Sequence, residues 1–396
     1  MKRYLWLIVF VCLSTGAFAQ KDAKDTPEFG KVSKEELQIN SCEFDPGAAA
    51  MVIFDVAEAA CILNLNSYNN PLSTFLDRHV RIKILNDKGL DHGNIKIRFR
   101  SYDMAEQINK LQGQTYNLDA SGNIVVSKLE KDAIFKKSIN KYYSEMTFTF
   151  PNVKAGSIIE YKYQDYSGYY YAIKNWYFQR NIPVQYTRYR LDFPHEIEVA
   201  ASVHGQYEVT RNVENLSNRS IQTYSMKNVP ALQDEPFMSS DEDYLQKLEP
   251  VLVAYNFPGV PRKNLRNTWQ GLVKYLIEDI DFGAQLNKNL PRTDSLDAML
   301  KKCTSSFSKM TTIFDYVRHQ MVWNEYEGIF AFEGVKSAWK SKKGTSGEIN
   351  LILVNLLKDA GIDANPVLVS TISNGIVNIS IPDYHSFDKV MAFVEL

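Results

Sequence analysis

The residue with the clearest chemical potential is Ser346, in the Gly-rich turn 344–348 near the end of the sequence. It stands at the start of a predicted helix, where unpaired amides and the positive end of the helix dipole can stabilise an oxyanion. A serine nucleophile also needs a base. Lys389 could serve if burial kept it neutral, and His385 is a possible substitute, although its Pro-Asp-Tyr turn indicates a surface loop. The simpler interpretation, which the pattern favours, is that Ser346 is a small polar N-cap residue.

A buried helix is predicted to hold this turn in place. Apolar side chains recur along residues 349–360 at the spacing of one helical face, and Gly361 is expected to end the helix in the left-handed conformation. Two β-rich runs follow at 367–371 and 390–394. The apolar stripe consists of Ile349, Ile352, Leu353, Leu356 and Ala360.

This order of loop, buried helix and two strands resembles the bacterial transglutaminase-like superfamily, which has a papain-like core. The resemblance rests on the Gly-x-nucleophile-x-acid turn, the helix ending in Ala-Gly-Ile and the following Pro-Val strand. It implies a catalytic Cys at the position of Ser346 and a catalytic His at the position of Lys389. It also implies a third, acidic residue that would lie beyond Leu396. All three expected catalytic positions are therefore substituted or absent, which implies a degenerate site.

The sequence upstream indicates many short strands. Period-two alternation at 80–84 and 95–99 predicts a hairpin-like pair with one solvated face that includes Arg81 and Lys83, whereas 55–64 suggests a short helix. Further β-rich runs bounded by turns favour an antiparallel β-sandwich. This part resembles the uncharacterised β domain that precedes transglutaminase-like modules in Bacteroidetes-type secreted proteins. The remaining runs are 124–126, 147–150, 158–163, 186–193, 196–203 and 221–226.

The predicted fold class is therefore α+β, with an antiparallel β-sandwich-like domain followed by a papain-like α+β domain that is apparently truncated. The expected boundaries are a signal peptide at 1–19, a flexible solvated tail at 20–40 and a β domain at 41–232. An interdomain linker or crossing strand is expected at 233–258 and the transglutaminase-like domain at 259–396. The sequence also predicts a helix in which the apolar residues recur at helical spacing, at Leu265, Trp269, Leu272, Leu276 and Ile280.

Composition narrows the classes of function. A net charge of -1 over 396 residues argues against a nucleic-acid partner, which requires clustered basic surface. The basic start, the apolar run and Ala17-Phe18-Ala19 predict an export signal, too short to span a membrane, that places the chain in the periplasm or outside the cell. Cys42 and Cys61 could pair or could be small buried residues. No cofactor or metal site is predicted, and the acidic run 241–243 is expected to be solvated.

The favoured function is a secreted, non-catalytic binding or assembly module with an unidentified protein, peptide or glycan ligand. One alternative is an active hydrolase or acyltransferase, related to cysteine proteases, that uses Ser346. Another is a glycan-binding surface protein, suggested by the aromatic residues Tyr169, Tyr170 and Tyr171. The chain is also expected to self-associate through an exposed edge strand at 390–394.

Overall fold

Strands dominate the first two thirds of the chain and helices the last third. The computed structural model describes residues 27–63, 72–101, 105–139, 143–168, 173–233, 238, 240–257, 262–264 and 268–396. Within them the architecture is α+β, as predicted. The helices are α1 (Lys34–Leu37), α2 (Asp241–Tyr244), α3 (Trp269–Glu278), α4 (Asp294–Leu300), α5 (Ser306–Gln320), α6 (Val335–Ser341) and α7 (Ser346–Asp359). The strands are β1 (Ala50–Leu63), β2 (Leu72–Ile84), β3 (Asn94–Arg100), β4 (Glu106–Leu118), β5 (Ile124–Lys128), β6 (Ile134–Ser138), β7 (Tyr143–Thr149), β8 (Ile158–Ser167), β9 (Trp176–Tyr177), β10 (Val184–Pro194), β11 (Ile197–His204), β12 (Thr210–Asn215), β13 (Arg219–Val229), β14 (Lys247–Tyr255), β15 (Lys263–Asn264), β16 (Val322–Trp323), β17 (Lys343–Gly344), β18 (Ala364–Val369) and β19 (Lys389–Val394).

An eight-stranded sheet in the order β12-β13-β10-β1-β2-β8-β4-β5 forms the framework of the β-rich region. Its neighbours are antiparallel except for β1 and β10, which run parallel. Strand β1 lies at the centre, so the predicted helix at 55–64 is wrong. Ala57 and Ala59 are buried in the core, and Val56 is buried on the opposite face of the strand. A strand covered on both faces loses the polar alternation that identifies a strand in sequence.

Two smaller sheets complete this region, one with β11, β14 and β15 plus β9, the other with β3, β7 and β6. The runs at 80–84 and 95–99 are strands, but the hairpin predicted between them is wrong. The first pairs with β1 and β8, and the second pairs with β7. A 3-10 helix over Asp87–Gly93 carries the chain from one sheet to the other. The stretch 233–258 contributes a strand, β14, that pairs with β11.

Residues 28–38 lie on the large sheet, which differs from the solvated tail expected at 20–40. Ser33 caps α1 with a reciprocal capping box, and Leu37 packs into a small cluster against the sheet. Arg81 and Lys83, predicted to face solvent, are fully buried beneath this segment. The alternation of β2 was interpreted correctly as a strand, but its polar face is covered.

The helical region packs around α7, as the apolar stripe predicted. Leu351, Ile352 and Leu356 are buried at its centre, and β18 and β19 pair antiparallel against it. Gly361 follows the helix at φ +76°, the left-handed conformation that ends helices. Leu272 and Leu276 are buried as expected, but Ile280 lies beyond α3 and is 73% exposed.

Several predictions concern residues outside the described ranges: the signal peptide at 1–19, the aromatic residues at 169–171, the boundary at 259 and Leu265. Cys42 and Cys61 are free thiols, so the disulfide considered between them is absent. Burial raises the pKa of the Cys61 thiol to about 12. No helix in the described part of the chain has both the length and the apolar character needed to cross a membrane.

Candidate functional site

The start of α7 is a closed network of hydrogen bonds. Thr345, not Ser346, is the N-cap residue, and its buried hydroxyl accepts the Glu348 amide at 3.1 Å. In return, the Thr345 amide donates to Glu348 Oε2 at 2.9 Å. The other Glu348 carboxylate oxygen accepts the Glu333 amide at 2.9 Å. This capping box uses donors that would otherwise be available to a substrate.

Ser346 is the first residue inside the helix and contacts a loop from a distant part of the sequence. Its amide donates to the Tyr326 carbonyl at 3.0 Å. Its hydroxyl accepts the Gly328 amide at 3.2 Å and lies 3.4 Å from the Gly328 carbonyl, to which it can donate. Both polar groups of Ser346 therefore have backbone partners in the loop 326–328. The oxyanion donor expected from the helix start is already in use.

Gly347 lets the loop approach this closely. A Cβ atom added at Gly347 would lie 2.8 Å from the Gly328 carbonyl oxygen and 2.9 Å from that of Phe330. Both are backbone atoms that cannot move aside as a side chain can. The glycine that resembles part of a catalytic turn in sequence therefore serves close packing between the helix start and the loop.

Lys389 reaches the same loop but contacts a different residue. Its Nζ lies 2.8 Å from Glu327 Oε1, in an ion pair whose two side chains are each about one third to two fifths exposed. Lys389 is the first residue of β19, which packs on α7. Among the hydrogen bonds of the described residues, none joins Ser346 to Lys389. Ser346 and Lys389 therefore both contact the loop 326–328, but no hydrogen bond connects one to the other.

His385 lies in a 3-10 turn on the surface. Its Nδ1 is 2.8 Å from Asp383 Oδ1, and its ring stacks on that of Tyr384 with centroids 4.0 Å apart. Burial would raise the pKa of the Asp383 carboxyl, but its hydrogen bonds and charge interaction with His385 outweigh that effect and lower it. In the part of the chain that is described, no hydrogen bond joins His385 to Ser346.

The loop 326–328 is the part of the site that sequence reasoning missed. Burial raises the pKa of Tyr326 to about 12, and the Tyr326 ring stacks on Tyr143 of β7 with centroids 6.3 Å apart. The Trp323 indole donates to the Tyr326 carbonyl at 2.8 Å, which fixes the turn. The sequence feature that could have drawn attention to this loop is Gly328 in an aromatic-rich segment, but it does not indicate contact with residue 346.

A second polar centre lies under residues 28–38. Glu160 is fully buried and accepts from Arg81 at 2.7 Å, from the Tyr116 hydroxyl at 2.7 Å and from the Gly30 amide at 3.0 Å. Burial alone would raise its pKa, but hydrogen bonds from His79 and Arg81 and the charge of Arg81 lower it to about 2. This buried charge cluster, formed by Glu160, Arg81 and Glu36, joins residues 28–38 to strands β2 and β8.

Lys83 adjoins the buried charge cluster and has no carboxylate partner among the described residues. Its ammonium donates to the Leu37 and Gly156 carbonyls, each at 2.6 Å. Burial lowers its pKa to about 8. These two bonds tie the segment 28–38 and the turn before β8 to the sheet.

A third polar group, Asp165, lines a small cleft beside Thr74, Ile173 and Phe193. Burial raises its pKa to about 6 despite Lys174, whose Nζ lies 3.5 Å away. Among the described residues, no three or more His, Cys, Asp or Glu side chains are grouped to hold a metal ion. Lys174 is thus the charged group that faces Asp165 in this cleft.

Comparison with known proteins supports the fold. A family model described as a Domain of Unknown Function with solved-structure structure (DUF3857) matches residues 76–233, within the β-rich region. The crystal structure of a "putative protease" from Parabacteroides distasonis ATCC 8503 matches 87% of this chain with a TM-score of 0.63 at 15% identity. The chain spans 65% of the length of that protein. At this identity the likeness establishes a shared fold.

Other solved structures match more distantly. An M1 zinc metallopeptidase from Deinococcus radiodurans aligns with 59% of this chain and 53% of its own at 10% identity, with a TM-score of 0.27. That score is too low to support an argument about fold or chemistry. No curated protein matches the sequence.

Proposed function

We propose that this chain is an exported, transglutaminase-like protein whose catalytic site has lapsed and which acts as a binding or assembly module. The observation that carries the proposal is the state of Ser346. Its amide donates to the Tyr326 carbonyl, and its hydroxyl is paired with Gly328. A nucleophile needs a free hydroxyl and a donor for the oxyanion, and here the loop 326–328 is bonded to both the hydroxyl and the amide of Ser346.

The available bases support the same conclusion. A lysine acts as a base only when neutral, and the 2.8 Å contact of Lys389 with Glu327 is that of an ammonium in an ion pair. His385 is paired with Asp383 on the surface. Neither residue is within hydrogen-bonding contact of Ser346 among the described residues, so no described side chain is placed to activate its hydroxyl.

Export is part of the same proposal. It rests on Lys2 and Arg3, the apolar run after them and Ala17-Phe18-Ala19, a pattern typical of a cleaved signal. Mass spectrometry of the protein recovered from the native host should find Gln20 as the first residue. Intact Met1 in the cytoplasm would contradict export without affecting the proposal about Ser346.

The test of the lapsed site combines a probe with substitutions. The purified chain is expected not to react with a fluorophosphonate probe and not to turn over peptide or glutamine-donor substrates. Ser346→Cys, and Ser346→Cys combined with Lys389→His, should also be inactive, because the amide of residue 346 remains bonded to Tyr326. The Ser346→Ala variant is the matched control for probe labelling.

Wild-type turnover that Ser346→Ala abolishes would overturn the proposal and establish a serine hydrolase or acyltransferase. Activity gained only in the double variant would contradict the part of the proposal that concerns the loop 326–328. It would mean that the loop 326–328 opens and that only the identities of residues 346 and 389 have lapsed.

A further inference from the structure

Two adjacent side chains, Glu36 and Leu37, attach residues 28–38 to the large sheet. The Glu36 carboxylate accepts from Arg81 Nη1 at 2.6 Å. The Leu37 side chain is 4% exposed and packs into a small apolar cluster with Ile158 of β8. The sheet therefore presents a guanidinium for a carboxylate and an apolar cluster for the residue that follows it.

The sheet also binds the backbone of the segment 28–38. Arg81 Nη2 donates to the Lys31 carbonyl at 3.0 Å, and Lys83 Nζ donates to the Leu37 carbonyl at 2.6 Å. Main-chain hydrogen bonds combined with pockets for particular side chains are the contacts by which domains recognise short peptides. Arg81 and Lys83 therefore contact the segment as a peptide-binding face contacts its ligand.

Residues 28–38 have little stability of their own. Helix α1 within them is a single turn of 4 residues, and a helix this short does not persist in water without its contacts. Leu37 is the one residue of the segment that is buried, so little apolar area holds the segment on the sheet. Permanent interfaces are more hydrophobic than those that dissociate, so this mainly polar attachment is of the dissociating kind.

The charged groups of the sheet stay compensated when the segment leaves. Arg81 keeps its ion pair with Glu160, at 2.7 Å, and Glu160 also keeps His79, at 2.8 Å. With the segment in place, Arg81 Nε is buried and has no acceptor among the described residues. Burial also lowers the pKa of Lys83 to about 8, so its charge is disfavoured there. Uncovering both cations restores their hydration, which offsets part of the interactions lost on opening.

We propose that this face of the sheet is a peptide-binding site and that residues 28–38 occupy it as an intramolecular ligand. The ligand class is a short acidic peptide that forms one helical turn, with a glutamate followed directly by a leucine. Its glutamate pairs with Arg81, its leucine enters the apolar cluster, and the carbonyl of that leucine accepts from Lys83. A partner's peptide and the segment compete for the same contacts, so the segment regulates access. This site shares no residue with the turn at Ser346.

Binding of a separate peptide tests the proposal on the full chain. The probe is a fluorescein-labelled peptide with the sequence of residues 28–40, and fluorescence anisotropy measures its binding. A chain with Leu37→Ala, which weakens the attached segment and leaves the sheet unchanged, should bind the peptide at least about tenfold more tightly than the wild-type chain. A peptide with Glu36→Lys should bind that chain at least about tenfold more weakly, because it sets a cation against Arg81. A peptide with Glu35→Lys, the same change at the neighbouring exposed glutamate, is the matched control and should bind as the unmodified peptide does.

Native-state hydrogen exchange of the wild-type chain adds a measurement that needs no variant. The bonded amides of Gly30, Leu37 and Gln38 should have protection factors at least about a hundredfold lower than those of strands β2 and β8, because the segment opens while the sheet stays folded. Equal protection of segment and sheet would overturn the proposal. So would absence of binding to the folded Leu37→Ala chain at about 1 mM peptide, equal binding by the two chains, or equal binding of the two lysine-substituted peptides.

Discussion

The start of α7 and the sheet face beneath residues 28–38 differ in how well their sequence patterns indicate their chemistry. Ser346 stands in a turn whose pattern promises catalysis, yet its polar groups are paired with backbone atoms. Arg81 and Glu160 belong to an ordinary alternating strand pattern, yet they are fully buried. The pKa of the Glu160 carboxyl is lowered to about 2, in the region without a catalytic pattern.

This difference shows how perturbed ionisation should be interpreted. Strongly shifted pKa values cluster at functional sites, but structural ion pairs shift them too. The Glu160 carboxylate is fully buried and accepts from Gly30, His79, Arg81 and Tyr116, so its charge helps to hold residues 28–38 on the sheet. In the Ser346 region the sequence pattern resembles a catalytic turn, but the hydroxyl and the amide of Ser346 are bonded to backbone atoms of Gly328 and Tyr326. There the structure shows close packing of the helix start against the loop 326–328.

The largest expected effect comes from Glu160→Gln. The substitution removes the fully buried carboxylate partner of Arg81 and leaves Glu36, whose Oε1 lies 2.6 Å from Arg81 Nη1, so the free energy of unfolding should fall by about 1.5–3 kcal/mol. Chemical denaturation measures this change, and limited proteolysis should show earlier cleavage within residues 28–38. Asp77→Asn, at an exposed position on the same face of the sheet, is the control and should cost little. A loss below about 1 kcal/mol would remove the contrast between the two regions.

The second effect depends on pH and concerns Lys83. Burial lowers its pKa to about 8 from an ordinary value of 10.5. Between those values the unfolded chain binds a proton that the folded chain does not, so the free energy of unfolding rises with pH there. Below pH 8 both states are protonated, and the cost of the buried charge is constant.

Comparison with Lys83→Met isolates this contribution. The wild-type free energy of unfolding minus that of the variant should rise by about 1.4 kcal/mol per pH unit between roughly pH 8 and 10. The two carbonyls that lose their donor in the variant add an offset that does not change with pH. A level difference for Lys83→Met would mean that the ammonium remains charged inside the fold.

The smallest effect separates Thr345 from Ser346. Thr345→Ala removes the N-cap and leaves a buried amide unpaired, which should cost about 1–2 kcal/mol. Ser346→Ala loses only its bond with Gly328 and should cost about 0.5–1 kcal/mol. Thermal and chemical unfolding measure both, with Thr345→Ser as the variant that keeps the cap. A larger loss for Ser346→Ala would indicate that the hydroxyl, not the cap, organises this turn.

Local sequence patterns predicted the helices and strands themselves better than they predicted how these elements pack against each other. The stripe through Leu353 and Leu356 identified α7, and Gly361 marked its end, because both signals lie within one helix. Part of strand β1 was predicted to be a helix. Because both of its faces are buried, its sequence does not alternate between polar and apolar residues, and its alanines are also common in helices. The burial of Arg81 could not be anticipated, since it depends on residues 28–38, whose composition is that of a solvated tail.

The site followed the same rule. The turn 344–348 is a helix start, as predicted, but the prediction assigned the N-cap to Ser346, whereas the N-cap is Thr345. Packing decided between them, because only Thr345 faces the amide of Glu348. The loop 326–328 is separated from Ser346 by helix α6 and the short strand β17, and nothing in its residue types specifies contact with position 346. Tertiary contact therefore determined the state of the site.

Pro366 has a consequence for the outer edge of β18. Proline has no amide hydrogen, so this edge lacks a donor at its centre, and a strand from another chain could not form a regular ladder with it. Pro366 therefore protects this edge of the sheet against the strand-by-strand addition that leads to fibres.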